Sequence, residues 1–257
     1  MKDLFRSYML LVVALLSTVF GYAQNDKIFE EAGTLYNAGA YQEAVGKYLE
    51  IAESGQHSAA LYYNIGNCYY KLNQIGPSIL YYERALQLMP NDEDIQNNLA
   101  FARNMTIDAI DKLPQTGLAK IFDNYVGVMS YTSWSVLSIV LMFAFVIFFL
   151  VYYFSSVQLK KRLYFSLSMV LLIFAVLSIF FAFHQQGVEN RADPAIIFAA
   201  ETTVKSEPNM GSQDVFQLHE GTKVNVLEAM GEWKKIQLSD GKIGWLPSEE
   251  LREVKDF

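Results

Sequence analysis

The chain has 257 residues, a formal net charge of −7 and a hydrophobic content of 52%. This length accommodates two small domains and a membrane anchor. The acidic balance, without a basic stripe, argues against nucleic-acid binding, because neutralised phosphates supply most of that affinity. The one cysteine, Cys68, rules out an intramolecular disulfide, and His57, His184 and His219 lie too far apart to predict a metal site. We therefore expect no metal and no cofactor.

The N-terminus has the pattern of a secretory signal peptide over residues 1–23. Lys2 and Arg6 supply a positive start, Tyr8–Phe20 is apolar, and Gly21-Tyr22-Ala23 places small residues at the cleavage positions. The apolar run is short for a spanning helix, and an uncleaved anchor is the alternative interpretation. We expect the chain that follows to begin outside the cytoplasm.

Residues 59–92 carry the spacing of small, aromatic and proline residues that is typical of a helical repeat. The residues that define it are Tyr62, Ile65, Gly66, Tyr69, Ser78, Tyr82, Ala85 and Pro90. The segment resembles a tetratricopeptide repeat, in which small residues let two helices approach closely and aromatic residues fill the groove between hairpins. A weaker copy lies at 25–58, and Asp92–Ala109 is predicted to form a third, capping helix. The repeat module is thus assigned to 25–110.

Two repeats and one helix are fewer than the roughly three repeats that a free-standing array needs. We therefore expect the module to complete its packing on a partner, a second copy, or the membrane-proximal segment Leu113–Met129. The resemblance implies a binding groove on the concave face of the first helices. The residues that it places there are Phe29, Gly33 and Tyr36, then Tyr63, Asn67 and Tyr70. The alternative is that these tyrosines pack between helices. The lysines of a carboxylate clamp are absent from these positions.

Two long uncharged runs predict a transmembrane hairpin with helices at 133–154 and 163–184. The link between them, residues 155–162, contains Lys160-Lys161-Arg162 and no acid, so the positive-inside rule places it in the cytoplasm. Both soluble modules are then expected on the other side of the membrane. The flanking linkers are assigned to 111–132 and 185–195.

The C-terminal segment 196–255 changes to short strands separated by turns. Strands are predicted at Ala195–Ala199, Thr202–Lys205, Val215–Leu218, Lys223–Met230, Trp233–Leu238 and Lys242–Pro247. The Asp240-Gly241 pair between two apolar runs is a strong hairpin signal. The segment resembles a bacterial SH3-like domain through residues 204–208, 218–224, 231–236 and 240–247.

The resemblance to bacterial SH3-like domains implies binding of peptides or cell-wall fragments. Trp233 and Trp245 are the candidate anchors, since exposed aromatic rings supply stacking area. The alternative is that both pack within the barrel or between its strands. His219 falls in a turn and is expected to be a surface residue.

The whole order resembles the BatE-type proteins of the Bacteroides aerotolerance (Bat) operon over essentially the full chain. That resemblance implies an envelope complex linked to oxygen tolerance or envelope stress. Its neighbours would be von Willebrand A-type proteins, another repeat protein and a cytoplasmic MoxR-type ATPase. The residues themselves indicate no oxygen chemistry, because there is one cysteine, no haem-ligand pair and no flavin fingerprint.

The sequence therefore predicts a multidomain membrane protein with an all-α tetratricopeptide-repeat module, a two-helix transmembrane hairpin and an all-β SH3-like barrel. The leading hypothesis is a non-enzymatic scaffold in the inner (cytoplasmic) membrane that presents both modules to other envelope proteins in the periplasm. Membrane lipid is a further expected partner. The alternative is a cell-wall sensor whose barrel binds peptidoglycan. An enzyme is a third class, and no nucleophile–base pair, phosphate loop or metal cluster in the sequence supports it.

Overall fold

The computed structural model of the protein describes residues 25–110, 117, 126–191 and 193–255. The chain divides into two compact units. The first joins the residues up to 110 to those from 193 onward, and the second contains 126–191. The predicted fold class is confirmed, with N-terminal helical repeats, two long apolar helices and a C-terminal antiparallel sheet. The predicted signal peptide, 1–23, lies outside the described residues.

The repeats of the first unit are built from five consecutive helices. They are α1 (25–37), α2 (Tyr41–Glu53), α3 (Ala59–Lys71), α4 (Ile75–Leu88) and α5 (Glu93–Arg103). Side-chain caps start two of them: Ser58 accepts a hydrogen bond from the backbone N–H of Leu61 at 3.1 Å, and Asp92 accepts one from Ile95 at 3.1 Å. The last helix ends at Arg103, six residues short of the predicted end, because residues 104–110 leave the helix to contact the barrel.

The close approach of α3 and α4 depends on Gly66 and Ser78. The Ser78 hydroxyl donates to the Gly66 carbonyl at 2.9 Å, and Ser78 is fully buried. A Cβ added at Gly66 would lie 2.7 Å from the Tyr82 ring. The small residues that mark the repeat in the sequence are therefore needed for the helices to touch.

We expect Gly66→Ala to destabilise the repeats by about 1–3 kcal/mol, since the added methyl group overpacks the space against Tyr82. Gly46, in α2, has nothing within 4 Å of the position that an added methyl group would occupy, and it provides the matched control. Gly46→Ala should stabilise the helix by about 0.5–1 kcal/mol, because glycine is a poor helix former. Hydrogen exchange of α2, α3 and α4 measures both effects. Equal effects of the two substitutions would contradict the packing account.

The second unit is a pair of long helices, α6 (Tyr131–Phe154) and α7 (Gln158–Arg191). Both are long and apolar enough to cross a membrane. Ring contacts join them, such as the edge-to-face pair Trp134 and Phe181 with centroids 5.1 Å apart. Small side chains are buried between them at Ser138, Ser168, Ala175 and Ser178.

The break between these helices is shorter than the predicted link. Only residues 155–157 are non-helical, and Lys160-Lys161-Arg162 belong to the start of α7. Lysine and arginine are good helix formers, and their long side chains extend away from an apolar helix end toward water. The basic cluster is thus carried by a helix end rather than by a loop.

The C-terminal segment of the first unit forms a seven-stranded antiparallel sheet in the order β3-β2-β6-β5-β4-β1-β7. The strands are β1 (Pro194–Ile197), β2 (Glu201–Lys205), β3 (Asp214–His219), β4 (Lys223–Met230), β5 (Trp233–Gln237), β6 (Ile243–Pro247) and β7 (Leu251–Glu253). The strand β7 is additional to the six predicted. Apolar residues from most strands, including Val204, Ile236 and Leu246, fill the barrel core.

Strand β1 has apolar neighbours on both faces. Ala195 and Ile197 point into the barrel core, whereas Ile196, between them, belongs to the core of the repeats. All four residues of the strand are buried. Successive side chains of a strand alternate between faces, so a continuous apolar run such as this one is typical of a strand covered on both sides.

Candidate protein-interaction surfaces

The repeats and the barrel share an apolar contact. Ile196 from β1 and Val254 after β7 are fully buried within the core of the repeats, and Phe198 packs against that core. On the barrel side, the glycine of the β3–β4 turn, Gly221, approaches Ile79 and Thr106 so closely that a methyl group there would collide with both side chains. The repeats thus complete their packing on the barrel of the same chain, an option that the sequence had not indicated.

A buried carboxylate lies at this contact. Glu83 of α4 is 6% exposed and forms ion pairs with Arg103 of α5 and with Lys223 of β4, the latter with Oε2 and Nζ 2.7 Å apart. A buried charge is costly unless it is paired and hydrogen-bonded. Arg103 belongs to the repeats and Lys223 belongs to the barrel, so Glu83 is fully paired only when the barrel is docked.

A second carboxylate, Asp108, binds the turn after β3. It accepts hydrogen bonds from the backbone N–H of His219 at 2.8 Å, from the Thr222 hydroxyl at 2.6 Å, and contacts His219 Nδ1 at 2.7 Å. Burial raises the pKa of Asp108, but the hydrogen bonds from Thr222 and His219 outweigh burial and hold that pKa below its usual value. His219 was predicted to be a surface residue in a turn. Instead, it is the last residue of β3, its side chain is 26% exposed, and it is bound to Asp108.

Backbone groups complete the contact between the modules. Glu220 accepts a hydrogen bond from the backbone N–H of Gly76, in the first turn of α4, at 2.9 Å. That position suits an anion, because the first N–H groups of a helix lack partners within the helix. Arg84 donates to the carbonyl oxygens of Val254 at 3.2 Å and Glu253 at 3.3 Å.

A network of hydroxyl and amide groups joins three helices of the repeats. The Asn67 carbonyl oxygen accepts hydrogen bonds from the Tyr82 hydroxyl at 2.7 Å and from Asn98 Nδ2 at 3.0 Å. The same Asn98 nitrogen donates to the Tyr63 hydroxyl at 2.8 Å. Helices α3, α4 and α5 therefore meet at one uncharged polar cluster, and we call it the amide cluster.

The predicted groove residues make two kinds of contact: hydrogen bonds within the amide cluster and contacts between aromatic rings. Tyr63 and Asn67 belong to the amide cluster, and burial raises the pKa of the neighbouring Tyr36, with Cys68, Tyr41 and Tyr63 adding to the shift. Phe29 packs edge-to-face against Tyr48 with centroids 5.2 Å apart. All the predicted aromatic groove residues, including Tyr70, are half-buried, so they contribute to the packing between helices and keep part of their surface exposed.

Sequence reasoning did not connect three residues with the predicted groove residues: Tyr82, which it named only as a repeat position, Asn98 and Phe101. Phe101 follows Asn67 by one repeat length and is 60% exposed. Applying the repeat spacing to α5 would have identified Phe101. The hydrogen bonds of Asn98 and Tyr82 depend on how the helices cross, and the spacing alone does not indicate them.

The two candidate tryptophans of the barrel differ in exposure. Trp245 is 8% exposed and pairs across the sheet with Lys205 and Lys235. The Lys235 Nζ lies 5.7 Å from the centre of the Trp245 ring. Trp233 is half-buried beside Pro247. Trp245 is therefore better described as a residue packed within the sheet than as an exposed anchor.

No set of acidic, histidine or cysteine side chains in the described ranges has the arrangement of a metal site. Cys68 is buried, and burial raises the pKa of its thiol to about 12. A thiol in this state is a poor nucleophile, because the thiolate is the reactive form. Its role is that of a small apolar residue in the core of the repeats.

Comparison with known proteins finds one family-model match within each module. Residues 59–92 match the family model of the tetratricopeptide repeat, and residues 200–252 match that of the bacterial SH3 domain. No curated protein matches the chain. Both modules are typical of protein–protein or peptidoglycan interaction, and neither match indicates an enzyme family.

Proposed function

We propose that the protein is a non-enzymatic scaffold, anchored in the inner membrane by α6 and α7, that presents its repeats and barrel together in the periplasm. The observation that carries this proposal is the packed contact between two segments that the membrane helices separate in sequence. Resemblance to the BatE-type proteins further suggests a place in an aerotolerance or envelope-stress complex.

The packed contact constrains the topology. The chain leaves the first unit after residue 110 and re-enters it at 193, with two candidate membrane spans between these points. An even number of crossings returns the chain to the side from which it left. Ile196 and the ion pairs of Glu83 need both modules in the same aqueous compartment. The basic cluster Lys160-Lys161-Arg162, next to the break between the spans, supports a cytoplasmic location for that break.

Cysteine labelling with a membrane-impermeant maleimide tests this topology. The native Cys68 is buried and protonated, so the wild-type chain should remain unlabelled. Exposed positions in each part are Gln87 of the repeats, Met210 of the barrel and Ser156 of the break. In spheroplasts, Gln87→Cys and Met210→Cys should react, and Ser156→Cys should react only after the membrane is permeabilised. Protection of either of the first two would contradict the proposal.

Partners of the scaffold can be trapped in intact cells. A photocrosslinking side chain placed at the groove residue Phe101 should capture envelope proteins that the same probe at Leu88, also exposed and apolar, does not capture. Recovery of von Willebrand A-type or repeat proteins at Phe101 would support the aerotolerance complex. Identical products from both positions would contradict partner binding in the groove.

Peptidoglycan binding is the second candidate function, favoured by the bacterial SH3 match at 200–252. The full chain in detergent should then sediment with purified cell wall. Trp233→Ala, which removes the more exposed tryptophan of the barrel, should reduce the bound fraction, whereas Phe101→Ala in the repeats should not. Absence of sedimentation would leave the scaffold as the sole candidate.

A further inference from the structure

Three consecutive cations lie near the start of α7, and the hairpin has no acid close to them. Lys160, Lys161 and Arg162 form the basic cluster, and all three are exposed. The nearest acids in the sequence are Asp123, before α6, and Glu189, about 40 Å from Arg162 along α7. Cations are also unfavourable at the start of a helix, because the N–H groups exposed there carry positive partial charge. The charge at this end of the hairpin would therefore be offset by an anion from outside the chain.

The three side chains spread around the helix and do not converge on one point. Successive residues of an α-helix are about 100° apart. The Lys161 Nζ lies 5.4 Å from the centre of the Tyr152 ring of α6, so Lys161 extends toward the neighbouring helix. Lys160 and Arg162 then lie on opposite flanks of that direction. This arrangement suits several small anions around the hairpin better than one multivalent ligand in a pocket.

Apolar residues place the basic cluster at the edge of the hydrocarbon. Leu159 and Leu163, which flank the cluster, and Phe154, at the end of α6, are 79%, 63% and 76% exposed. Helix α6 has 24 residues and is about 36 Å long, which covers the roughly 30 Å of a hydrocarbon core with little to spare. Lysine and arginine side chains near the end of a membrane helix extend to the headgroup layer. The basic cluster thus lies at the depth of lipid phosphates.

The break between the two helices offers little surface for a protein to bind. Only residues 155–157 are non-helical, and they are two serines and a valine. Anionic headgroups, in contrast, attract each basic residue at a membrane surface by about fivefold in affinity. Resting on the membrane anchor of the proposed function, we propose that the basic cluster selectively binds the phosphates of anionic phospholipids, such as phosphatidylglycerol, in the cytoplasmic leaflet.

Spin-labelled lipids in nanodiscs that contain the full chain test this proposal. Electron paramagnetic resonance measures how strongly the protein immobilises labelled phosphatidylglycerol and labelled phosphatidylcholine. Phosphatidylglycerol should associate several-fold more strongly, and this preference should fall at high salt, since salt screens exposed charges. Sodium phosphate and sodium chloride of equal ionic strength should lower the preference equally. A larger effect of sodium phosphate would indicate a site for free phosphate and overturn the proposal.

A neutral triple variant provides the matched comparison, and its expected preference for phosphatidylglycerol is about onefold. It combines Lys160→Gln, Lys161→Gln and Arg162→Gln. The control variant removes the same number of charges at exposed lysines outside the hairpin and should keep the wild-type preference. It combines Lys27→Gln, Lys71→Gln and Lys242→Gln. Lys160→Arg with Lys161→Arg retains the charge of the cluster and should also keep the preference.

Failure of this inference is distinguishable from failure of the proposed function. If the chain is not retained in nanodiscs, the membrane anchor is wrong, and the lipid site with it. If the chain is retained but shows no headgroup preference, or if the neutral triple variant keeps the preference, the anchor stands and lipid selectivity by the basic cluster is wrong. An acidic cytoplasmic protein would then be the ligand class that the charge of the cluster fits.

Discussion

Replacing Ile196 by alanine is expected to destabilise the repeats and the barrel together, by about 2–5 kcal/mol. Ile196 is a residue of the barrel sheet, but its side chain is fully buried in the core of the repeats. Truncation there opens a cavity between the two modules. We expect faster hydrogen exchange in α4 as well as in β1, measured on the full chain in detergent.

The control for Ile196→Ala is Ile243→Ala in β6. Ile243 is an isoleucine of the same sheet, but it is 43% exposed and lies in neither core. Its truncation should cost much less and leave exchange in α4 unchanged. If Ile196→Ala accelerates exchange in the barrel alone, the modules fold independently, and the contact between them contributes little to the stability of the repeats.

Replacing Asp108 by asparagine is expected to cost about 2–3 kcal/mol at neutral pH. The carboxylate accepts hydrogen bonds from the His219 backbone and the Thr222 hydroxyl, and bonds to an ionised acceptor are stronger than neutral ones. An amide at this site has one accepting oxygen, and its NH₂ group faces donors. Hydrogen exchange of the β3–β4 turn and of α4 reports the loss.

The effect of Asp108→Asn should depend on pH. The folded-state pKa of Asp108 lies below its usual value, so its contribution to stability is fully present above the unfolded-state pKa of about 3.9. That contribution is lost as pH falls through the folded-state pKa. The difference in unfolding free energy between wild type and variant should therefore shrink in strong acid.

An exposed acid separates this effect from a general loss of charge. Glu232 lies exposed in the turn between β4 and β5, and Glu232→Gln should change stability by less than about 0.5 kcal/mol at any pH. A difference for Asp108→Asn that stays constant from neutral to strongly acidic pH would show that the carboxylate charge does not stabilise the docked barrel.

Local sequence patterns were enough to predict the three parts of the fold: the repeats, the two long helices and the barrel. Periodicity and small residues such as Gly66 predicted the repeat, because close helix packing has strict steric requirements. Two uncharged runs predicted the long helices, since apolar length is a direct requirement of a membrane span. Turn residues such as Asp240-Gly241 predicted the strands of the barrel, apart from β7.

The surface against which each soluble module packs became evident from the three-dimensional structure alone. The sequence predicted a strand at Ala195–Ala199, but periodicity does not say which surfaces cover its two faces. Asp108 and His219 are far apart in sequence, and their bond exists because β1 and the β3–β4 turn dock on α4. Long-range contacts of this kind depend on the shape of two folded surfaces, which local sequence patterns do not encode.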